Sequence, residues 1–201
     1  MRTTCYVKRI LSLSQATLGA VQAASLSVAA IGKAWARGED VTSKHAVKQV
    51  DRLLSNGGAD VWRTFGAWGP FVLAERTEAV IALDWTDFEK DDQESLVASL
   101  VTRHGRATPL VWTTLVKSAS AGNRQLTEDL VLQRLRELIP SHVQVTVLAD
   151  RGFANAEFYA PLKQLDFEYV VRFRVDVLVT SARGETKPAA EWGPDGAGRS
   201  C

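Results

Sequence analysis

The spacing of apolar positions predicts a helical front half of the chain. From about residue 12 to residue 36, apolar residues recur at loosely helical spacing among small residues, which predicts a helix. The segment SKHAVKQVDRLL, residues 43–54, carries a clearer apolar stripe and predicts a second helix. Ser43 is its expected N-cap, and residues 56–58 are expected to end it by adopting the left-handed backbone region. A further apolar helix is predicted from residue 61 toward residue 75.

Beyond residue 75 the pattern changes to strands. AVIALDW, residues 79–85, is a continuous apolar run typical of a strand that is covered on both faces. The elements predicted after it are strands near 95–103 and 108–116 joined at His104, Gly105 and Arg106, a helix around 126–138, the strand VQVTVLAD, the short helix NAEFYAPLKQL and the strand FEYVVRF. This β-β-β-α-β-α-β order predicts an α/β fold with a mixed sheet, in which a helical crossover sets two strands parallel.

Two of these strands end on an acid, AVIALD on Asp84 and VTVLAD on Asp150. If the strands are adjacent and parallel, both carboxylates lie at the edge of the sheet where open α/β folds bind ligands. Two close carboxylates repel unless a proton or a cation neutralises them, and magnesium accepts oxygen ligands of this kind. The pair therefore predicts magnesium-dependent phosphoryl transfer. The alternative is that each acid is only a cap or a turn residue.

The net charge of +1 conceals a basic front and an acidic centre. Residues 1–60 sum to +4 and residues 75–94 to −6, by count of their acidic and basic side chains. Lys44, Lys48 and Arg52, spaced four apart, share one flank of a predicted helix and would meet phosphates, or else form a solvated face. Asp87, Asp91 and Asp92 are predicted to be solvated loop residues. Trp85 is predicted to be a core residue, or else a stacking platform beside Asp84.

Three segments carry a resemblance to a known family: SKHAVKQVDRLLSN, AVIALDWTDF and VLADRGFANAEFYAPLKQLDFEYVVRFR. They resemble the DDE transposases of bacterial insertion sequences, in the branch whose third acid lies in a tyrosine, arginine, glutamate and lysine signature. The resemblance covers most of residues 15–195. It implies an RNase H-like catalytic domain, an N-terminal helical region that binds transposon ends, two magnesium ions, and cut-and-paste DNA chemistry.

The resemblance also implies roles for individual residues. Asp84 matches the first acid of the family and Asp150 the second, so both are expected to be catalytic and to ligate metal. Arg151 is expected either to meet a DNA phosphate or to pair with an acid, and Gly152 to let DNA approach or merely to make the turn. The third acid, a glutamate beyond the fifth strand, has no match.

Glu185 and Glu191 follow the fifth strand, but they lie in an expected hairpin and loop. The chain is therefore expected to be a C-terminally truncated transposase, poor in catalysis by itself. Its expected divisions are residues 1–74, helical and DNA-binding; residues 75–174, catalytic; and residues 175–201, the start of a β-rich insertion.

The expected setting is the bacterial cytoplasm, with transposon ends and target DNA as partners, a possible homodimer in a synaptic complex, no membrane, and manganese able to replace magnesium. Two alternatives to an active enzyme remain open. One is a non-catalytic DNA-binding remnant that acts through the basic helices. The other is a structural or interaction protein whose strand-end acids serve only as caps.

Overall fold

The chain forms two compact units, residues 1–60 and residues 61–201. The computed structural model describes residues 2–58, 60–103, 105–119, 122–174 and 177–192. The sequence placed a division after residue 74, whereas the helix that begins at Val61 packs against a strand and a helix of the second unit. By its contacts this helix therefore belongs with the sheet.

The first unit contains three helices, α1 (Arg2–Ala23), α2 (Val28–Gly38) and α3 (Ser43–Leu54). The prediction of one helix across residues 12–36 is wrong in this respect, because the chain breaks between α1 and α2. Ala24 has a φ of 47°, and the backbone N–H of Ser27 bonds to the hydroxyl of Ser25. Serine side chains that bond nearby backbone offer the chain an alternative to the helix at this point.

Small residues bring the three helices close together. A Cβ added at Gly32 would lie 2.5 Å from the Cα of Val47, and one at Gly19 would lie 2.6 Å from the carbonyl oxygen of Ile31. The helix backbones therefore approach directly at these glycines, beside a small apolar core that comprises Ala16, Ile31, Trp35, Ala46 and Val50.

The ends of α3 differ in detail from the prediction. Thr42, not Ser43, is the N-cap, and its hydroxyl accepts a hydrogen bond from the backbone N–H of His45 at 3.3 Å. At the other end, neither Gly57 nor Gly58 adopts positive φ. Ser55 is the C-cap instead, and its backbone N–H and its hydroxyl both donate to the carbonyl of Asp51.

The second unit begins with α4 (Val61–Leu73), which confirms the predicted helix. The elements that follow are β1 (Glu78–Phe88), β2 (Gln93–Val101), β3 (Ala107–Val116), α5 (Arg124–Leu138), β4 (Gln144–Ala149), α6 (Ala156–Gln164) and β5 (Glu168–Val171). The predicted order of three strands, helix, strand, helix and strand is thus confirmed. Of the predicted turn between β2 and β3, His104 lies outside the described residues.

These five strands form one mixed sheet in the order β3-β2-β1-β4-β5. β2 is antiparallel to β1 and to β3, while β4 is parallel to β1 and to β5. α5 connects β3 to β4 and so carries the chain across to the other side of β1. β1 and β4 are therefore adjacent and parallel, as the two aspartates require to meet. The prediction that the first strand ends on Asp84 is wrong, because β1 continues in its antiparallel pairing with β2 as far as Phe88.

One face of this sheet carries the core. Ile81, Leu83, Val145 and Val147 lie on it and are packed in one cluster with buried residues of α4, α5 and α6. The opposite face is open, and Val170 on it is 62% exposed. The run AVIALDW was expected to be covered on both faces, but alternate residues of β1 are exposed, so that expectation is wrong for the described residues.

A hairpin of β6 (Leu178–Thr180) and β7 (Thr186–Pro188) follows the sheet. It turns at Gly184, with a φ of +84°, as the sequence predicted. The rest of the predicted insertion, residues 175–176 and 193–201, lies outside the described residues. No helix in the described part of the chain has the length and apolar character that crossing a membrane requires.

Candidate functional site

Asp84 and Asp150 stand at the same level of two neighbouring parallel strands. Leu83 of β1 pairs with Ala149 of β4, and each aspartate is the next residue along its strand. Leu83 and Ala149 are buried on the core face, and both aspartates are exposed. Because side chains alternate across an extended chain, both carboxylates belong to the open face of the sheet.

The backbone around Asp150 holds its carboxylate in place. Its Oδ1 accepts a hydrogen bond from the N–H of Gly152 at 2.8 Å, which caps a 3-10 turn of residues 151–153. A Cβ at Gly152 would lie 3.0 Å from the same oxygen. Gly152 thus supplies the backbone N–H that binds the carboxylate, and its lack of a Cβ leaves room for that carboxylate. The sequence reading of Asp150 as a cap is correct for one of its two oxygens.

Asp84 is held less tightly. Its Oδ2 accepts a hydrogen bond from the hydroxyl of Thr86, two residues along the strand, at 3.3 Å. The neighbour between them, Trp85, is half-buried on the opposite face and packs against the core. The aspartate therefore presents its carboxylate to solvent on a strand that is fixed from behind.

Arg151 lies beside Asp150 with its side chain exposed. It forms no ion pair within the described residues, which leaves both of its expected roles as predictions. The turn that carries it is anchored by Phe153, which is buried and contacts Phe158 of α6 with ring centroids 5.1 Å apart. The N-cap of α6 is Asn155, whose side chain accepts from the backbone N–H of Phe158 at 2.8 Å.

A charged cluster behind Asp84, in which two glutamates are buried and the side chain of Arg124 is 53% exposed, was missed by the sequence interpretation. The indole N–H of Trp85 donates to Oε1 of Glu128 in α5 at 3.0 Å, and the guanidinium of Arg124 lies 5.0 Å from the Trp85 ring centroid. Arg124 also forms an ion pair with Glu94 of β2, which is 1% exposed. The cluster of Trp85, Glu94, Arg124 and Glu128 therefore joins β1, β2 and α5.

Burial shapes the titration of this cluster. Removal from water raises the pKa of Glu128, against the hydrogen bond from Trp85, which lowers it. The hydrogen bond to Glu94 raises the pKa of Arg124. Glutamates on an amphipathic helix and an alternating strand are ordinarily solvent-facing, so no signal in the sequence distinguished Glu94 and Glu128.

The acidic residues at the end of β1 and in the turn after it are more ordered than predicted. Asp87 was expected in a loop, but it lies in β1 and pairs with Glu94 of β2. Asp87 forms an ion pair with Lys117 at the far end of β3. Asp92 accepts hydrogen bonds from the backbone N–H and the hydroxyl of Ser118, at 3.0 and 2.5 Å. Both aspartates are exposed, as predicted, and both also tie the end of β1 and the turn after it to the residues that follow β3.

The donor chemistry of Asp84 and Asp150 fits a hard divalent cation. Two exposed carboxylates at one level of adjacent strands supply the oxygen ligands that magnesium prefers. No group of three His, Cys, Asp or Glu side chains suited to a metal occurs among the described residues. Any metal held by Asp84 and Asp150 would therefore need water or substrate oxygens to complete its coordination.

The first unit carries the predicted basic row. Lys44, Lys48 and Arg52 are all exposed along α3. Between α1 and α3 lies an open groove of about 520 Å³, lined by Lys8, Arg9, Leu11, Ser12, Gln15, Gln49, Arg52, Leu53 and Asn56. Lys8 and Arg9 of α1 thus lie in the same groove as Arg52 of α3. The spacing of basic residues within α3 could not indicate that a second helix contributes to this groove.

Comparison of the sequence with known proteins identifies no relative of this chain. Neither the scan of protein-family models nor the search of curated proteins found a match to this chain.

Proposed function

We propose that this chain is the DNA-processing part of a DDE-type transposase, with an RNase H-like sheet and a catalytic pair formed by Asp84 and Asp150. The observation that carries this proposal is the parallel register of β1 and β4, which leaves the two aspartates at one level. The sheet order, with the second strand antiparallel to its neighbours, supports the RNase H-like assignment. The substrate is a DNA phosphodiester.

The chain's own residues would do three things. Asp84 and Asp150 would hold one or two magnesium ions, or manganese, against the DNA backbone. Such an ion stabilises charge on phosphodiester oxygens and makes water or a 3′ hydroxyl a better nucleophile. Arg151, exposed beside Asp150, would bind a neighbouring phosphate through its forked donors.

Catalysis by the chain alone should be slow. The family implied by the resemblance uses a third acid, and Glu185 and Glu191 do not supply it. Glu185 pairs with Lys187 across 3.4 Å at the start of β7, and Glu191 lies in a short 3-10 turn after β7. Fewer protein ligands mean weaker metal affinity and poorer substrate orientation.

Nicking of plasmid DNA tests the proposal. The substrate is a supercoiled plasmid that contains the gene and its flanking DNA, incubated with the full chain and Mg²⁺ or Mn²⁺. We expect slow, metal-dependent nicking that Asp84→Asn and Asp150→Asn abolish. Asp87→Asn is the matched control, because Asp87 lies on the same strand but is paired with Lys117. Nicking that survives both active-site substitutions would overturn the metal assignment.

The basic groove of the first unit favours a second candidate, a DNA-binding protein without catalysis. Residues 1–60 carry the positive charge excess, and Lys8, Arg9 and Arg52 line one groove. Binding of duplex DNA that weakens steeply with salt, combined with no nicking under any metal condition, would favour it. A bacterial cytoplasmic location and a homodimer in a synaptic complex belong to the transposase proposal.

A further inference from the structure

The hydrogen bond between Trp85 and Glu128 lies directly behind one of the two aspartates. The indole N–H of Trp85 donates to Oε1 of Glu128 at 3.0 Å, and Trp85 follows Asp84 in β1. We propose that Glu128 is a positioning residue, which acts through Trp85 to fix the carboxylate of Asp84 on the open face of the sheet. The inference rests on the proposed function for its use of the two carboxylates. It goes beyond that function by assigning a role to a side chain of α5 on the opposite face.

Asp84 stands where β1 loses one of its two neighbours. The last pair of the parallel β1–β4 register is Leu83 with Ala149. Beyond it, β1 continues to Phe88 and pairs with β2 alone among the described strands. Strands in a two-stranded ribbon twist more strongly than strands inside a wider sheet. An anchor on β1 at this point would therefore set the distance from Asp84 to Asp150.

Trp85 is placed to supply this anchor. Successive side chains of a strand point to opposite faces, so the Trp85 ring lies on the core face when Asp84 lies on the open face. The ring packs against the main core cluster, and the guanidinium of Arg124 lies 5.0 Å from its centroid. A tryptophan that is held both by its ring and by its N–H fixes the backbone from which the neighbouring side chain projects.

Glu128 is itself held firmly by its helix. It is 5% exposed, and it lies one helical turn before Val131 and Leu132, which are both fully buried. α5 is also the helix that connects β3 to β4. The carboxylate that holds β1 therefore belongs to the element that leads into the strand before Asp150.

The burial of Glu128 favours a role other than stability. Removal from water disfavours the charged carboxylate and raises its pKa. An apolar side chain of similar volume is often as stable or more stable at a buried charged position. The carboxylate accepts the indole N–H of Trp85 and is attracted by the charge of Arg124, whose guanidinium pairs with Glu94. An acceptor that is retained in spite of its desolvation fits the positioning of the strand beside it.

Calorimetric titration of the full chain with Mn²⁺ tests the hydrogen bond itself. Glu128→Leu removes the acceptor, and Trp85→Phe removes the donor but keeps an aromatic ring. Each should weaken Mn²⁺ binding about tenfold, as loss of a group that supports a metal ligand typically does. The double variant should bind no more weakly than either single one, because both substitutions remove the same interaction. Glu128→Gln keeps an acceptor oxygen and should bind Mn²⁺ like the wild type.

Thr127→Val is the matched control for a merely structural effect. Thr127 is buried beside Glu128 in sequence, and its hydroxyl donates to the carbonyl of Asn123 at 3.2 Å within the same helix. The control should lower the midpoint of urea unfolding, because a buried hydrogen bond is lost, and leave the Mn²⁺ affinity unchanged. If Glu128 served stability alone, Glu128→Leu would behave like this control.

Amide hydrogen exchange in EDTA measures how firmly β1 is held when no metal is bound. Residues 84–88 should exchange faster in Glu128→Leu and Trp85→Phe than in the wild type or in Thr127→Val, because their anchor is lost. A wild-type chain that neither binds Mn²⁺ nor nicks DNA contradicts the proposed function. Faster exchange of this segment in the two variants would then still support the positioning role of Glu128.

Three results would overturn the inference. The first is wild-type Mn²⁺ affinity in Glu128→Leu, and the second is a Glu128→Gln chain that binds Mn²⁺ as weakly as Glu128→Leu. The third is exchange of residues 84–88 at the same rate in the wild type, Glu128→Leu and Trp85→Phe. A chain that binds Mn²⁺ and gives any of these results contradicts the role of Glu128 and leaves the catalytic proposal standing.

Discussion

Asp84 and Asp150 occupy the same level of adjacent parallel strands, one residue beyond the last pair of the β1–β4 register. They are separated by 66 positions in the sequence, as 150 minus 84 gives, and the crossover through α5 brings their strands together. On the face behind Asp84, β1 is fastened to α5 through Trp85 and Glu128. The account therefore predicts effects both at the carboxylates and at the groups that hold them.

Gly152→Ala should weaken metal binding without unfolding the chain. The new Cβ would lie 3.0 Å from Oδ1 of Asp150, so the carboxylate must shift by a few tenths of an ångström from the position that the N–H of Gly152 gives it. Loss of such a supporting arrangement typically costs about tenfold or more in metal affinity. Calorimetric titration with Mn²⁺ measures it, and Gly66→Ala in α4, where a Cβ meets nothing within 4 Å, is the control. Unchanged affinity would show that Gly152 does not shape the site.

Arg124→Met should destabilise the second unit. Glu94 is buried, and the substitution removes both its guanidinium partner and the cation over the Trp85 ring. We expect the free energy of unfolding in urea to fall by about 1–3 kcal/mol. Lys117→Met removes the more exposed pair with Asp87 and should cost less. Equal losses in the two variants would mean that the burial of Glu94 is unimportant.

Glu128→Gln should change how stability depends on pH. Burial raises the pKa of Glu128 in the folded chain above its usual value of 4.5, so the unfolded chain loses the proton first as the pH rises. The wild-type chain therefore loses stability from about pH 4.5 up to the raised pKa, and the loss is complete above it. Glu128→Gln has no carboxyl group at this position, so it should lack this loss of stability with rising pH.

Urea unfolding of the wild type and of Glu128→Gln across this pH range measures the difference. We expect the stability of the wild type relative to the variant to decrease as the pH rises. A constant difference would mean that Glu128 titrates alike in the folded and unfolded chains.

Gly32→Ala should loosen the first unit. Its Cβ would lie 2.5 Å from the Cα of Val47, a backbone atom that cannot rotate aside, and overpacking of this kind costs about 1–3 kcal/mol. Gly38→Ala at the end of α2 meets nothing within 4 Å and should be neutral or slightly stabilising. Amide hydrogen exchange of residues 28–54 in the full chain measures this destabilisation as faster exchange in Gly32→Ala. Equal protection in the two variants would contradict the close contact.

The element order and the position of Asp150 directly after β4 could be predicted because they depend on local patterns, whereas the extension of β1 beyond Asp84 was missed. Apolar runs, turn residues and the helix between β3 and β4 allowed β1 and β4 to be parallel neighbours, and the structure shows that they are. The same patterns located Lys44, Lys48 and Arg52 on one helix, since helical spacing alone decides that.

Contacts between distant elements could not be predicted. Glu94 and Glu128 look like surface residues until the fold packs β2 against α5 and buries both of them. Asp92 looks solvated until Ser118 is known to lie beside it. The break at Ala24 was also missed, because small and apolar residues continue at helical spacing across it and only the serines after it indicate a turn.

Calorimetric titration with Mn²⁺ tests most directly whether Asp84 and Asp150 share a cation. The full wild-type chain should bind the metal, and Asp84→Asn and Asp150→Asn should each abolish most of the binding, with the double variant no worse than either single one. Such non-additivity is expected when two groups act on one ligand. Asp87→Asn should bind like the wild type. Wild-type affinity in either Asp84→Asn or Asp150→Asn would contradict the shared site.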